Sequence, residues 1–223
     1  MTKLQVPLRY RLRWHSLVRW VSLAWLRVLY RQWTRIAACL FPEESAQARL
    51  AERLHVPLPD RLDLSWVTPM LAVGGRIHPE DILHLASAGI RQVIDVRAEY
   101  QDDETALNRA GISLLYLPAP DTYPLTIEQL LTGSEWADNA IKRGERVLVH
   151  CEHGVGRSVL LACAILIRQG FSAEQAVRLV QKKRWQAAPN HRQIKRLQEF
   201  VAALHGQSSL TNQPPINEKE EKR

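Results

Sequence analysis

Residues 146–170, RVLVHCEHGVGRSVLLACAILIRQG, set the tightest constraint on the fold. An apolar run at 147–149 leads into His150, Cys151 and a loop holding Gly154 and Gly156, and a longer apolar run follows Arg157 and Ser158 at once. The first run has the length of a buried strand and the second that of a helix. A strand that is apolar throughout needs helices over both faces of its sheet. The flanking sequence supplies the other elements. LAVGG (71–75), RQVIDVR (91–97) and SLLYLPA (113–119) read as strands. PEDILHLASAG (79–89), LTIEQLLTGSEWADNAIKRG (125–144), SVLLACAILIRQG (158–170), SAEQAVRLVQKKR (172–184) and PNHRQIKRLQEFVAALH (189–205) read as helices, with Ser172 and Gln175 as a capping box. This alternation predicts an α/β domain over residues 66–205, with a central, mostly parallel sheet flanked by helices.

The charge is unevenly spread. Residues 1–42 hold eight basic side chains and no acidic one, whereas the other 181 residues are nearly neutral. A basic arm on a neutral body is not the pattern of a nucleic-acid-binding domain. Residues 8–38 lack Gly and Pro, and a helical wheel sets Trp14, Val18, Val21, Trp25, Leu29 and Ile36 opposite Arg9, Arg13, Arg27, Arg31 and Arg35. Trp20 and Leu23 interrupt the basic face. Residues 1–41 are therefore expected to form an amphipathic helical arm. It suits an anionic membrane surface or a partner, and its uncharged stretch, residues 20–26, is too short to cross a bilayer. Packing on its own domain and organelle targeting are the competing readings of the arm. Residues 42–65, with Pro57 and Pro59, read as a linker, and residues 206–223 as a disordered polar tail.

Three cysteines at long spacings, Cys39, Cys151 and Cys163, form neither a disulfide framework nor a zinc motif. Their pattern fits a reducing, cytoplasmic setting, with membrane association through the arm. Cys163, in the middle of an apolar helix, reads as core, and no chemistry is assigned to Cys39.

The loop after residue 150 reads as an anion cradle. Glycines turn successive N–H groups toward one point, and the following helix adds its positive end. A thiol there loses its proton readily, so Cys151 is expected to be a thiolate nucleophile. Arg157 offers a planar fork for two phosphate oxygens. Asp121, in LPAPDTYPLT, follows a strand and so lies at the same sheet edge, as a general acid for the leaving oxygen. Ser158 can hydrogen-bond the departing thiolate, and the chemistry calls for no metal or other cofactor. A nucleotide-binding P-loop fits less well, because its Gly-Lys-Ser/Thr ending is missing. Asp95, Arg97 and Glu99 either border the site or form a structural ion pair.

The series His150-Cys151, five residues, Arg157-Ser158, with Asp121 upstream, resembles the cysteine-dependent protein tyrosine phosphatase superfamily. The short chain and the Pro-Asp-x-x-Pro segment are similar to its dual-specificity branch, over about residues 66–204. The resemblance implies Cys151 as nucleophile, Arg157 as phosphate clamp, Asp121 as general acid and Ser158 as an aid to breakdown of the intermediate. It also implies backbone amides of Glu152, His153, Gly154, Val155, Gly156 and Arg157 as the phosphate site. His150 would support the cysteine, and Asn190 and Gln193 would border the site. No tryptophan precedes Pro120, and no tyrosine-recognition loop is evident, which argues against a deep tyrosine-only pocket.

The implied activity is hydrolysis of phosphotyrosine and phosphoserine or phosphothreonine in proteins through a phosphocysteine. The same chemistry on a membrane phospholipid monophosphate is the alternative. An inactive phosphate-binding module is a further one, although such a module would normally lack the cysteine, the arginine or the acid.

Overall fold

The computed structural model describes residue 53 and residues 62–211, with side chains through 206. The expected helical arm, Cys39, most of the linker and residues 212–223 lie outside the described residues. The elements in chain order are β1 (Leu64–Thr68), β2 (Leu71–Gly74), a 3-10 turn (Pro79–Asp81), α1 (Ile82–Ser87), β3 (Ile90–Arg97), α2 (Glu104–Arg109) and β4 (Ser113–Ala119). These are followed by α3 (Ile127–Lys142), β5 (Arg146–His150), α4 (Arg157–Arg168), α5 (Ala173–Lys183) and α6 (His191–Thr211).

The five strands lie in the order β1-β2-β5-β3-β4. β1 pairs antiparallel with β2, and every other pairing is parallel. The expected mostly parallel sheet is therefore present. The alternation of side chains along each strand builds a core on both faces. Val147 and Val149 join Leu71, Val73, Ile94, Val96 and the helices α3 to α6 on one face. Leu148 joins Ala72, Val93, Ile82, Leu85 and Leu107 on the other, under α1 and α2.

α4 is the central helix. Leu160, Leu161, Ile165 and Leu166 are all buried, as are Val159, Ala162, Cys163 and Ala164. Each large aliphatic side chain buried this way contributes roughly 1.5–3 kcal/mol. A helix apolar on every side must be surrounded, which fixes α4 between the sheet and the outer helices. The capping box ahead of α5 forms as expected: Ser172 Oγ accepts from Gln175 N at 3.2 Å, and Gln175 Oε1 accepts from Ser172 N at 2.9 Å.

Several elements differ from the sequence reading. β1 begins at Leu64, inside the segment read as linker, because Leu64 and Ser65 pair with Gly74 and Val73. Residues 79–89 divide into a 3-10 turn and α1. α2 arises from a segment without a strong apolar period, where Asp103 caps the helix by accepting from Ala106 N at 3.0 Å. α6 continues to Thr211, past Gly206 and into the segment read as a disordered tail.

The parallel strands all end at one edge of the sheet. β4 follows β3 on one side, and β5 returns to the other, so the chain reverses direction between β3 and β5. Ligands in open α/β sheets bind in the crevice opened by such a reversal. Residues 98–102 and 151–156 leave the sheet there.

Candidate active site

β5 delivers Cys151 to the sheet edge, where it is buried. The loop that follows curls over its sulfur. Gly154 has φ of 63°, a left-handed angle that glycine takes without a steric penalty. The turn sends Gly154 N–H to Cys151 Sγ at 3.2 Å. Ser158 Oγ, in the first turn of α4, lies 3.3 Å from the same sulfur.

The carbonyls explain why the loop amides converge. Glu152 O accepts from Arg76 N at 3.2 Å, Val155 O from Ala188 N at 2.9 Å, and Gly156 O from Leu160 N at 2.8 Å. Gly154 O accepts from Arg184 Nε at 2.7 Å, and His153 O from Arg184 Nη2 at 3.3 Å. With every carbonyl from Glu152 to Gly156 bonded to the surrounding protein, the N–H groups across the same peptide planes point away from those partners, and that of Gly154 falls on Cys151 Sγ. Both glycines also permit close approach. A Cβ on Gly154 would lie 2.2 Å from Arg184 Nη2, and one on Gly156 would lie 2.6 Å from Gln193 Oε1.

Arg157 is buried and its fork is occupied. Nη1 donates to Glu99 Oε2 at 2.7 Å and to Ala119 O at 2.8 Å, and Nη2 donates to Glu99 Oε1 at 2.7 Å. Asp121 Oδ1 lies 2.9 Å from the same Nη2. Burial works against the guanidinium charge. The Glu99 bonds and the charges of Cys151, Glu99 and Asp121 more than offset it, so Arg157 holds its proton more tightly than usual. In return, Arg157 lowers the Glu99 carboxyl to about 2. Of the two sequence readings of Glu99, the structure therefore puts it at the site, as the carboxylate that holds the arginine.

Asp121 stands at the mouth, its side chain 62% exposed. The next residue, Thr122, has φ of 66° and is the one described non-glycine residue with positive φ. Its carbonyl accepts from Asn190 Nδ2 at 2.7 Å. Asn190 also caps α6, its Oδ1 accepting from Arg192 N and Gln193 N at 3.0 and 3.1 Å. Arg192 stacks over Tyr123 at 5.0 Å, and Arg196 Nη1 donates to Leu125 O at 2.8 Å. The start of α6 thus holds the acid loop at three points. Gln193 is buried against Gly156, with its Oε1 accepting from Asn190 N at 2.9 Å.

His150 is fully buried and its ring faces carboxylates, not the sulfur. Nε2 lies 2.7 Å from Asp102 Oδ2 and 3.8 Å from Asp95 Oδ1. Arg97 completes the cluster: Nε bonds Asp95 Oδ1 at 2.9 Å, Nη2 bonds Asp95 Oδ2 at 3.0 Å, and Nη2 also bonds Asp102 Oδ1. Nη1 is 3.6 Å from Glu152 Oε2, which links the cluster to the phosphate loop. Asp95, Asp102 and His150 present three ligand-type atoms within 4.8 Å of one another. Arg97 already bonds both carboxylates, so the group is an ion-pair network. For Asp95 and Arg97 the structural ion-pair reading is the one the geometry favours. Burial alone would raise the Asp102 carboxyl, but His150 and Arg97 outweigh it and the net shift is downward.

Cys151, Arg157, Asp121, Ser158, Asn190, Gln193 and residues 152–156 are thus gathered at one edge. Cys163 is buried in the core, and burial pushes its thiol up. Sequence reasoning missed Asp102 and Arg184. Nothing in YQDDE singles out one aspartate, and Arg184 reads as an ordinary basic residue at a helix end.

This geometry agrees with what the chain resembles. Residues 78–202 match the family model of the dual specificity phosphatase catalytic domain. Dual specificity protein phosphatase 1B of Arabidopsis thaliana is 33% identical over 102 residues, covering 40% of this chain and 61% of that one. Human dual specificity protein phosphatase 2 is 27% identical over 142 residues, covering 60% of this chain and 42% of that one. The chain therefore spans roughly half of the length of these relatives. Among solved structures, PTPMT1 in complex with PI(5)P superposes with a TM-score of 0.60 at 24% identity, over 64% of this chain and 96% of that one. That likeness concerns the fold. With the family model covering more than half of the chain and a cysteine loop of this construction beneath it, the chain belongs to the dual specificity phosphatase family.

Proposed function

We propose that the protein hydrolyses phosphate monoesters of phosphotyrosine and phosphoserine or phosphothreonine in proteins through a phosphocysteine intermediate. The observation that carries this reading is the convergence on Cys151 Sγ of the Gly154 N–H at 3.2 Å and Ser158 Oγ at 3.3 Å, with Arg157 and Asp121 paired at the same mouth.

In the first step Cys151 Sγ attacks phosphorus, and the bond from phosphorus to the ester oxygen breaks. Arg157 and the loop amides stabilise the charge on the three equatorial oxygens. Asp121 gives its proton to the leaving oxygen. In the second step water attacks the phosphocysteine, Asp121 takes a proton from it, and Ser158 donates a hydrogen bond to the departing thiolate. The products are the alcohol or phenol and inorganic phosphate.

Substrate breadth follows from depth. Asp121 and Glu99 are 62% and 39% exposed, and Tyr100 and Tyr123 are each half-exposed, so the acid stands at the protein surface. An acid open to solvent accepts leaving groups of different size, which supports a range that includes phosphoserine and phosphothreonine. A lipid monophosphate substrate is the rival reading, with residues 8–38 as the membrane anchor. That segment lies outside the described residues, and no described helix is long and apolar enough to cross a membrane.

The deciding assay offers the full-length protein p-nitrophenyl phosphate, phosphopeptides, and vesicles containing a phosphoinositide monophosphate. Turnover of phosphotyrosyl and phosphoseryl peptides, lost in Cys151→Ser, is expected. Turnover confined to vesicles would transfer the assignment to lipid, and full activity in Cys151→Ser would end the phosphocysteine mechanism. Flotation with anionic vesicles at low and high salt tests the arm, and salt-sensitive binding is expected.

A further inference from the structure

Arg184 ends α5, on the far side of the phosphate loop from the mouth, and is 1% exposed. Its guanidinium donates to five oxygens: Gly154 O at 2.7 Å, His153 O at 3.3 Å, Val73 O and Ser65 Oγ at 3.4 Å each, and Asp63 Oδ1 at 2.9 Å. Two of these belong to the loop over Cys151. His153 O shares a peptide plane with the Gly154 N–H that donates to Cys151 Sγ, and Gly154 O shares one with the Val155 N–H. Because a peptide unit is planar and trans, fixing its oxygen fixes the direction of its hydrogen.

We infer that Arg184 is a positioning residue for the dephosphorylation reaction: by holding the His153 and Gly154 carbonyls it aims the next two N–H groups at sulfur and phosphate. The other carbonyls of the loop are held by backbone N–H groups, which any sequence supplies. These two depend on one side chain. The space behind Gly154 is shaped for it, since a Cβ there would lie 2.2 Å from Arg184 Nη2. Asp63 and Ser65 anchor the opposite end of the guanidinium, so the aim of the loop is referred to β1 and the residue just before it. A lysine has one compact ammonium and cannot span the loop carbonyls and Asp63 together.

This inference rests on the reading of the loop as an anion cradle, and the experiment separates the two. Wild type, Arg184→Met, Arg184→Lys and Asp63→Ala are compared in kcat and KM for p-nitrophenyl phosphate, in inhibition by orthovanadate, and in alkylation of Cys151. Alkylation uses anionic iodoacetate and neutral iodoacetamide, and the ratio of the two rates reports the cradle and not the fold. Thermal melts of each variant accompany these.

Wild type is expected to prefer iodoacetate. In Arg184→Met that preference is lost, kcat falls roughly tenfold or more, and orthovanadate binds correspondingly less tightly. Arg184→Lys recovers part of each, and Asp63→Ala, with Arg184 intact but loosened, loses about two- to fivefold. A folded Arg184→Met with the wild-type rate ratio and kcat overturns the inference. If Arg184→Met does not fold, wild-type values in Asp63→Ala overturn it instead. A wild type that neither hydrolyses p-nitrophenyl phosphate nor prefers iodoacetate removes the cradle reading itself, and the inference with it.

Discussion

Arg157 and Glu99 meet through two parallel hydrogen bonds of 2.7 Å, both on the edge of the guanidinium formed by Nη1 and Nη2. No hydrogen bond from Nε reaches any described residue. The carboxylate thus holds the arginine from one edge, and Asp121 rests on Nη2 at the edge it shares with Nε. The planar geometry of the fork makes this division possible, since each edge accepts one bidentate partner.

Replacing Glu99 by Gln removes the charge and one of the two acceptors. Arg157 should then lose its fixed orientation, and kcat/KM for p-nitrophenyl phosphate should fall about fivefold, equivalent to about 1 kcal/mol. A rise in KM larger than the fall in kcat is the expected pattern, because a phosphate clamp acts from first binding onward. Steady-state kinetics on the purified variant checks this.

Asp121→Asn should separate substrates by leaving group. With phosphoserine peptides, whose alkoxide leaves poorly, the rate should drop roughly 10²–10⁴-fold. With p-nitrophenyl phosphate, whose leaving group is stable without a proton, the loss should be much smaller. Equal losses on both substrates would remove the general-acid role of Asp121.

Gly154→Ala should damage both stability and activity. The left-handed φ of 63° costs a non-glycine residue about 1–2 kcal/mol. The added Cβ also meets Arg184 at 2.2 Å and the Gly74 backbone at 2.7 Å, and neither can withdraw to solvent. Thermal melts should show a lower Tm, and kcat should fall more than about tenfold as the loop amides lose their convergence.

Acid should reveal two carboxylates in stability curves. Glu99 is lowered from 4.5 to about 2, and Asp102 is also shifted downward. Groups depressed in the folded state stabilise it above their unfolded values, and that contribution disappears as pH falls through the folded ones. Stability should therefore decline between about pH 4.5 and pH 2, and Glu99→Gln should flatten part of that decline. With more than a third of its side chain in water, Glu99 contributes on the order of 1 kcal/mol or less. Arg97→Met should act in the same direction and by more. It strips the Asp95–Asp102 pair of its cation and costs about 3–5 kcal/mol near neutral pH. Urea titrations at several pH values should find that deficit shrinking in acid, where protons neutralise the buried charge.

The sheet, the loop over Cys151 and the acid loop were legible because each is written locally. Val147 and Val149 alternate with Leu148, a strand pattern that needs no knowledge of partners. Cys151, Gly154, Gly156, Arg157 and Ser158 lie within eight residues, and a strand followed by a helix permits few geometries between them. α2 was less legible, because its single buried side chain, Leu107, gives no apolar period and its cap comes from one aspartate among several. The start of β1 was hidden because Leu64 and Ser65 become strand only by pairing with β2.

The sequence by itself determined the α/β class and the strand-loop-helix around Cys151, since these depend on neighbours in the chain, and it named the candidate nucleophile, clamp and acid. The tertiary structure decided which side chains hold them. Glu99 on Arg157, Asp102 on His150, Asn190 on Thr122 and Arg184 on Gly154 lie 58, 48, 68 and 30 residues from their partners. Hydrogen bonds and ion pairs depend on distance and angle in space. A charged residue far along the chain therefore acquires its role only when the sheet order brings it to the edge where Cys151 stands.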